Sequence, residues 1–222
     1  MKKIVSIIFA ALLILCLSAC STQTKTESKE GSSASENTDN SQNSNTDNTA
    51  SQDEGTASDA DAAAEGKILV AYFSATGTTK GVAEKIAKLT GADLYEIVPV
   101  QPYSDADLNW NNSSSRSTKE QNDKNARVDI AGEKIDLTGY KTIYVGFPIW
   151  WGEEPRIMDT FVESYEFDGI TMIPFCTSSS SGIGRSGQNM EALSGTGTWL
   201  EGRRFSGNVS ETDLQSWIDS LN

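Results

Sequence analysis

Residues 67–222 predict a three-layer, doubly wound α/β domain on a parallel five-stranded sheet. Two observations carry this. Short continuous apolar runs, rich in β-branched and aromatic residues, alternate with stretches of helical periodicity. Strands buried on both faces, joined by crossover helices, produce that alternation. Unusual glycine-bearing loops, 74–79, 148–154 and 177–184, follow three of the runs. Doubly wound folds bind ligands there, beyond the carboxyl ends of the strands.

Residues 68–73 (Ile-Leu-Val-Ala-Tyr-Phe) are the first strand. Val82, Ala83, Ile86, Ala87 and Leu89 then recur at helical spacing, with Lys80, Lys85 and Lys88 on other faces, and Gly91 ends the helix. Residues 94–99 alternate and close on Pro99, a second strand. Residues 101–132 are less regular: 105–110 suits a helix start, and 109–118 is rich in Asn and Ser. Residues 142–147 are the third strand. Pro155 suits a first helical position, and Ile157, Met158, Phe161 and Val162 give that helix an apolar face. Residues 170–175 are the fourth strand. Met190, Ala192 and Leu193 mark a short helix, residues 198–205 the fifth strand, and residues 211–221 the closing helix.

The segment before this domain is different material. Lys2 and Lys3 precede an apolar run over 4–17, which is short for a membrane span of roughly 20 residues. Leu17, Ser18 and Ala19 then lead to Cys20, which resembles a bacterial lipobox. Residues 1–19 are expected to be removed as a signal peptide and Cys20 to carry the lipid, on the extracytoplasmic face of the cell membrane. Residues 21–66 hold ten acidic and two basic residues and no aromatic, Leu, Ile or Val. They bury too little apolar surface to offset ordering entropy, so 20–66 reads as a disordered acidic tether.

Composition excludes several chemistries. The chain carries −13 and no His. Nucleic-acid or anionic-lipid binding by charge is disfavoured, and the lipid on Cys20 is the expected membrane contact. Ser-His-Asp catalysis and His-ligated metals are impossible. With Cys16 removed and Cys20 lipidated, Cys176 has no intrachain partner. No metal site is expected.

The first loop, Ser74, Ala75, Thr76, Gly77, Thr78 and Thr79, joins a buried strand to a helix. There a phosphate is held by backbone N–H groups and the helix dipole. Four hydroxyls in six residues add donors, and Gly77 lets the backbone close on the anion. Helix capping accounts for one or two of these hydroxyls. No Walker-type Lys is present, so a monophosphate fits better than a nucleoside triphosphate.

The loop resembles the flavodoxin family's phosphate loop, Ser/Thr-x-Thr-Gly-x-Thr, with Ser74, Thr76, Gly77 and Thr79 at the fixed positions. Residues 148–155 (Pro-Ile-Trp-Trp-Gly-Glu-Glu-Pro) resemble the second cofactor loop. The resemblance implies sheet order 2-1-3-4-5 and FMN as cofactor, with Pro148, Ile149, Trp150, Trp151 and Gly152 beside the ring. Trp151 is then the stacking residue, Trp150 the second candidate, and Gly152 the residue whose carbonyl answers flavin N5. Residues 177–184 resemble the third loop, in which Thr177, Ser178, Ser179, Ser181 and Gly182 hold the pyrimidine edge. The aromatic residue common there is missing, so the second ring face is either open or covered by 101–127. The likeness is strongest to a lipoprotein-rich bacterial subgroup with two further stretches, here Tyr103 to Trp110 and Ser115 to Glu120. Asn112, Arg116 and Glu120 are expected to form a lid. Covalent FMN attachment uses an Asp-Gly-x-Ser/Thr-Gly-Ala-Thr signature; the run from Asp168 to Met172 begins like it and breaks off, so FMN is expected to be non-covalent.

The expected function is electron transfer between protein or quinone partners, whose identity the residues do not specify. Glu153 and Glu154 are expected to disfavour an anionic reduced ring, and Arg185 to offset charge at flavin N1 or to be plain solvated surface. The alternatives are an FMN-dependent NAD(P)H or quinone reductase, although no Gly-x-Gly-x-x-Gly is present, and a flavin-free interaction module.

Overall fold

The computed structural model describes residues 66–221. The signal, Cys20 and the tether lie outside these residues. In chain order the elements are β1 Lys67–Tyr72, α1 Thr78–Thr90, β2 Asp93–Glu96, α2 Arg116–Asn122, β3 Tyr140–Pro148 and α3 Arg156–Glu163. There follow β4 Thr171–Thr177, α4 Ser186–Ser194, β5 Thr198–Trp199, β6 Arg203–Phe205 and α5 Glu211–Asp219. All ladders are parallel, in the order β2-β1-β3-β4-β5, with β6 also on β4. No helix among the described residues is long and apolar enough to cross a membrane.

The period of two along each strand divides the core. Leu69, Ala71 and Phe73 face one layer with Ile143, Val145 and Phe147. Ile157, Met158, Phe161 and Val162 of α3 and Met190 of α4 cover that layer. Val70, Tyr72 and Tyr144 face the other, beneath Val82, Ala83 and Ile86 of α1 and Leu214, Trp217 and Ile218 of α5. Both faces of the central strands are thus dry, which explains why the sequence reads there as unbroken apolar runs.

Three elements differ from expectation. The fifth strand is split. Met172 pairs with Trp199 and Phe175 with Arg203, so three residues (200–202) face two (173–174). Pro174 has no N–H for the ladder, and the neighbouring strand bulges opposite it. Gly202 fills the bulge so closely that a Cβ there would lie 2.8 Å from the Pro174 carbonyl. Strand β2 stops at Glu96. Residues 98–100 then turn antiparallel to 129–131, with Ala131 N–H donating to Val98 O at 2.7 Å and Val100 N–H to Asp129 O at 2.9 Å. Residues 105–110 form turns and no helix. Asn109 Oδ1 accepts from Asn111 N–H at 3.1 Å and Asn112 Oδ1 from Ser114 N–H at 2.9 Å. Such side chains compete with the helical bond, and α2 begins only after Ser115, whose Oγ accepts from Thr118 N–H.

Gly146 in β3 sits opposite Phe175 in β4, and a Cβ at 146 would lie 2.2 Å from that ring. Phe175 is fully buried and has nowhere to retreat. Gly146→Ala is expected to cost about 1–3 kcal/mol by overpacking, seen as a lower urea midpoint at unchanged m-value.

Candidate functional site

A cavity of about 380 Å³ opens at the carboxyl ends of β1 and β3. In the order 2-1-3-4-5 this is the switch point, where helices leave the sheet on opposite faces. Its volume lies within the usual range for small-molecule sites.

Its floor is Ser74, Ala75, Thr76, Thr78 and Thr79. The N-cap of α1 is Gly77, left-handed at φ +85°, and no side chain caps the first turn. The hydroxyls of this loop are therefore not consumed as caps. Gly81 N–H makes the first helical bond, to Gly77 O, and the three amides before it precede the helix's own acceptors. No acidic residue occupies the first turn. Ser74 Oγ is buried and unpartnered among the described residues. Buried hydroxyls normally have partners, so this atom marks where a ligand oxygen is wanted. Thr79 differs: its buried Oγ1 lies 2.8 Å from Thr177 Oγ1 and ties the loop to the end of β4.

The second wall is Pro148, Ile149, Trp150 and Trp151. Trp150 N–H donates to Glu153 O at 2.9 Å, and Glu153 N–H returns a bond to Trp150 O at 3.1 Å. The two residues between have positive φ, +50° at Trp151 and +86° at Gly152, the signature of a tight type I′ turn. Among the described residues Trp151 is the one non-glycine with positive φ. A bulky residue is strained there, and this one is 45% exposed. Its neighbour Trp150 points inward, edge-on to Phe73 (5.6 Å) and Tyr103 (5.2 Å). Both Trp line the cavity, but Trp150 also packs into the core while Trp151 faces outward.

The third wall comes from the irregular segment: Leu108, Trp110 and Ser117. None of these was singled out for the site from the sequence, though a Trp amid Asn and Ser was a signal. The expected lid residues work elsewhere. Arg116 Nε donates to Glu120 Oε1 at 2.6 Å and its Nη1 to Gln101 O at 2.7 Å. The guanidinium also lies 4.2 Å over the Tyr103 ring, whose hydroxyl donates to Glu120. Asn112 shapes its own turn. These residues brace the wall from behind.

Gly152 and the loop 177–182 do not line the cavity. Thr177 is held by Thr79, and Ser178 N–H donates to Phe205 O. Arg204 donates to the carbonyls of Ser178 and Ser179, a brace that no local pattern marks. Ser181 and Gly182 are exposed, as is Arg185, which stands at the N-cap of α4. The second and third loops do touch: a Cβ on Gly184 would lie 3.1 Å from Gly152 O.

Glu153 and Glu154 turn away from the cavity. Glu153 pairs with Arg156 at 2.9 Å. Glu154, 1% exposed, accepts from Asn189 on α4 at 3.1 Å, and burial raises its carboxyl pKa above the usual range. Arg156 also contacts Asp159 at 3.4 Å. Burial, then the charge of Glu154, pushes the Asp159 carboxyl up to about 7 against the pull of Arg156 and Arg127. Cys176 is buried and free among the described residues, its thiol raised to about 12 by burial.

Fold and cavity define a doubly wound α/β protein with a ligand-sized cleft at its switch point. The flavodoxin family profile matches residues 67–221. The chain belongs to the flavodoxin family. It is 44% identical to a candidate flavoprotein from Bacteroides eggerthii, covering 70% of this chain and 98% of that one at a TM-score of 0.66. A similar protein from Bacteroides uniformis is 42% identical over 69% and 98%, with a TM-score of 0.67. At 20% identity, 69% and 99% coverage and a TM-score of 0.51, the chain shares its fold with a Lactobacillus acidophilus flavoprotein solved in complex with FMN. No curated protein is significantly similar to the chain.

The Asp159 proton has a measurable consequence. The folded domain holds it up to about pH 7, whereas an unfolded chain releases it near pH 4. Folding therefore takes up a proton between these values, and this group lowers stability as pH rises from about 5 to 7. Asp159→Asn is expected to flatten that slope in urea midpoints; an unchanged slope places the linked proton elsewhere.

Proposed function

We propose that the domain binds FMN non-covalently and passes electrons between redox partners at the extracytoplasmic face of the membrane, to which Cys20 tethers it. The observation that carries the cofactor is the start of α1. It is capped by Gly77 with no side-chain acceptor on its first amides, beside a buried, unpartnered Ser74 hydroxyl. These groups face the same cavity as an exposed Trp held in a strained turn. An anion below and a flat aromatic surface above suit a phosphorylated planar ring.

FMN supplies reversible one- and two-electron chemistry. The protein's share is binding and placement. The amides of residues 78–80 and the hydroxyls of Ser74, Thr76 and Thr78 hold the phosphate, which the helix dipole favours. Trp151 offers its ring to the isoalloxazine, and Ile149 and Pro148 keep water from its flank. The lipobox-like residues before Cys20 and the acidic, apolar-poor stretch 21–66 support a tethered domain outside the membrane. Redox partners are proteins or quinones.

FMN added to the purified full chain is expected to lose its fluorescence on binding. Riboflavin, lacking the phosphate, is expected to bind at least tenfold more weakly. Equal affinities refute the phosphate loop, and absence of quenching refutes the cofactor. Cys20→Ser is expected to release the protein from the membrane fraction.

The two Trp separate by readout. Trp151→Ala is expected to weaken FMN about tenfold, in line with stacking worth roughly 1–3 kcal/mol, with stability of the apo-protein little changed, because alanine keeps the Cβ that strains the positive φ. Trp150→Ala is expected to lower apo stability by about 2 kcal/mol or more through the lost core contacts. The opposite assignment of losses shows that Trp150 is the stacking ring.

A further inference from the structure

Five Trp occur in the chain. Trp150, Trp199 and Trp217 are buried or half-buried. The other two, Trp151 at 45% and Trp110 at 72% exposure, are held open to solvent, and both line the cavity above the phosphate loop. They come from different elements, the β3–α3 loop and the long β2–α2 connection. Indoles are among the side chains that gain most from burial, and packing within the domain gives no reason for two exposed ones to converge on one cleft.

Both are exposed on fixed backbones. Trp151 stands on its two-residue turn. Trp110 follows Asn109, whose Oδ1 accepts from Asn111 N–H at 3.1 Å and whose carbonyl accepts from Asn112 N–H at 3.0 Å. Upstream, the Asp107 carbonyl accepts from both the backbone N–H (3.1 Å) and Oγ (2.6 Å) of Ser117, which anchors the turn to α2. Helix α2 is fastened in turn by Gln121, which donates to Trp150 O at 3.1 Å and Glu154 O at 3.2 Å. A bare indole on a pinned turn is presented to a ligand at little further ordering cost.

We infer that Trp110 is the second wall of the ring slot, stacking on the face of the isoalloxazine that Trp151 leaves open, and that it thereby selects edge-on electron exchange over face-on hydride delivery. The inference rests on FMN as the occupant. It assigns to the β2–α2 connection the aromatic cover that the third loop lacks. Hydride delivery moves two electrons and one proton from nicotinamide C4 to flavin N5 and releases the oxidised nicotinamide. It needs the two rings face to face. A ring between two indoles has no such face, whereas electrons pass one at a time through an exposed edge. Trp110 is then the residue that makes this cleft a carrier's and not a reductase's.

The test uses the full chain with Trp110→Ala and Trp110→Phe. The parent chain is expected to bind FMN, with Trp110→Ala about tenfold weaker and less strongly quenched, and Trp110→Phe within threefold of the parent. Because Trp110 is exposed, urea midpoints of the apo-proteins are expected to agree. With FMN saturating, direct reduction of the bound flavin by NADPH is expected to run at least tenfold faster in Trp110→Ala than in the parent. If the parent binds FMN and Trp110→Ala matches it in affinity and quenching, Trp110 is not a ring wall and the inference fails alone. If affinity falls while the NADPH rate does not rise, the selection of edge-on exchange is overturned. If the parent does not bind FMN, the cofactor reading and this inference fall together.

Discussion

Three rings meet behind the cavity: Phe73 at the end of β1, Tyr103 in the β2–α2 connection and Trp150 in the β3–α3 loop. Their centroids are 5.2–5.9 Å apart, two pairs edge-on and one tilted. Such pairs add a directional contribution beyond burial, and here they join three segments distant in sequence. The rest of the site depends on this junction. Trp150 faces inward to complete it, and the short turn that follows then puts Trp151 outward. Tyr103 is fixed by its hydroxyl bond to Glu120 and by Arg116 above its ring, which brings in α2 and with it Ser117. The cavity is what remains on the far side of the cluster.

A polar network continues the junction toward α3 and α4. Gln121 bonds the Trp150 and Glu154 carbonyls, and Arg156 donates to the Gln121 carbonyl at 3.1 Å while pairing with Glu153. Buried charges are costly unless paired and hydrogen-bonded, and the pairing here is incomplete. Arg156 Nε and Asp159 Oδ1 have no partner among the described residues. Protonation of Asp159 near neutrality relieves part of that cost. The network also explains why the acids after Gly152 do not act on the cavity: Glu153 and Glu154 are committed to Arg156 and Asn189.

The phosphate loop obeys a different constraint. Strands β1 and β3 are buried on both faces, so the chain meets solvent only at their ends, and the first amides of α1 emerge there without acceptors. Gly77 makes the sharp entry in a left-handed conformation, and the Thr79–Thr177 bond locks the loop to β4. The loop is thus shaped before any ligand arrives, with Ser74 Oγ left as the unsatisfied atom.

Periodicity made the strands, the helices, the sheet's core and the first two loops legible from the residues alone, because burial on both faces leaves an unbroken apolar run and a helix start leaves a polar, glycine-bearing one. A local rule also placed Pro155 at a helix start, within a residue. The split fifth strand was hidden, since its cause is Pro174 on the neighbouring strand. Which of two adjacent Trp faces the ligand was hidden too, being decided by Phe73 and Tyr103. The third wall was legible only as the segment 101–127, one of two options for the second ring face; which of its residues line the cavity was hidden, because the Asn- and Ser-rich run before α2 has no period to read and its turns are set by side-chain bonds to nearby amides. The sequence by itself determined the family, the phosphate-loop chemistry and the absence of His-based catalysis, because these are properties of residue type and near spacing. Only the tertiary structure decided that Trp110 stands at the cleft, that Arg116 and Glu120 stand behind it and that the third loop is clamped by Arg204, because each depends on a contact between segments that no local pattern encodes.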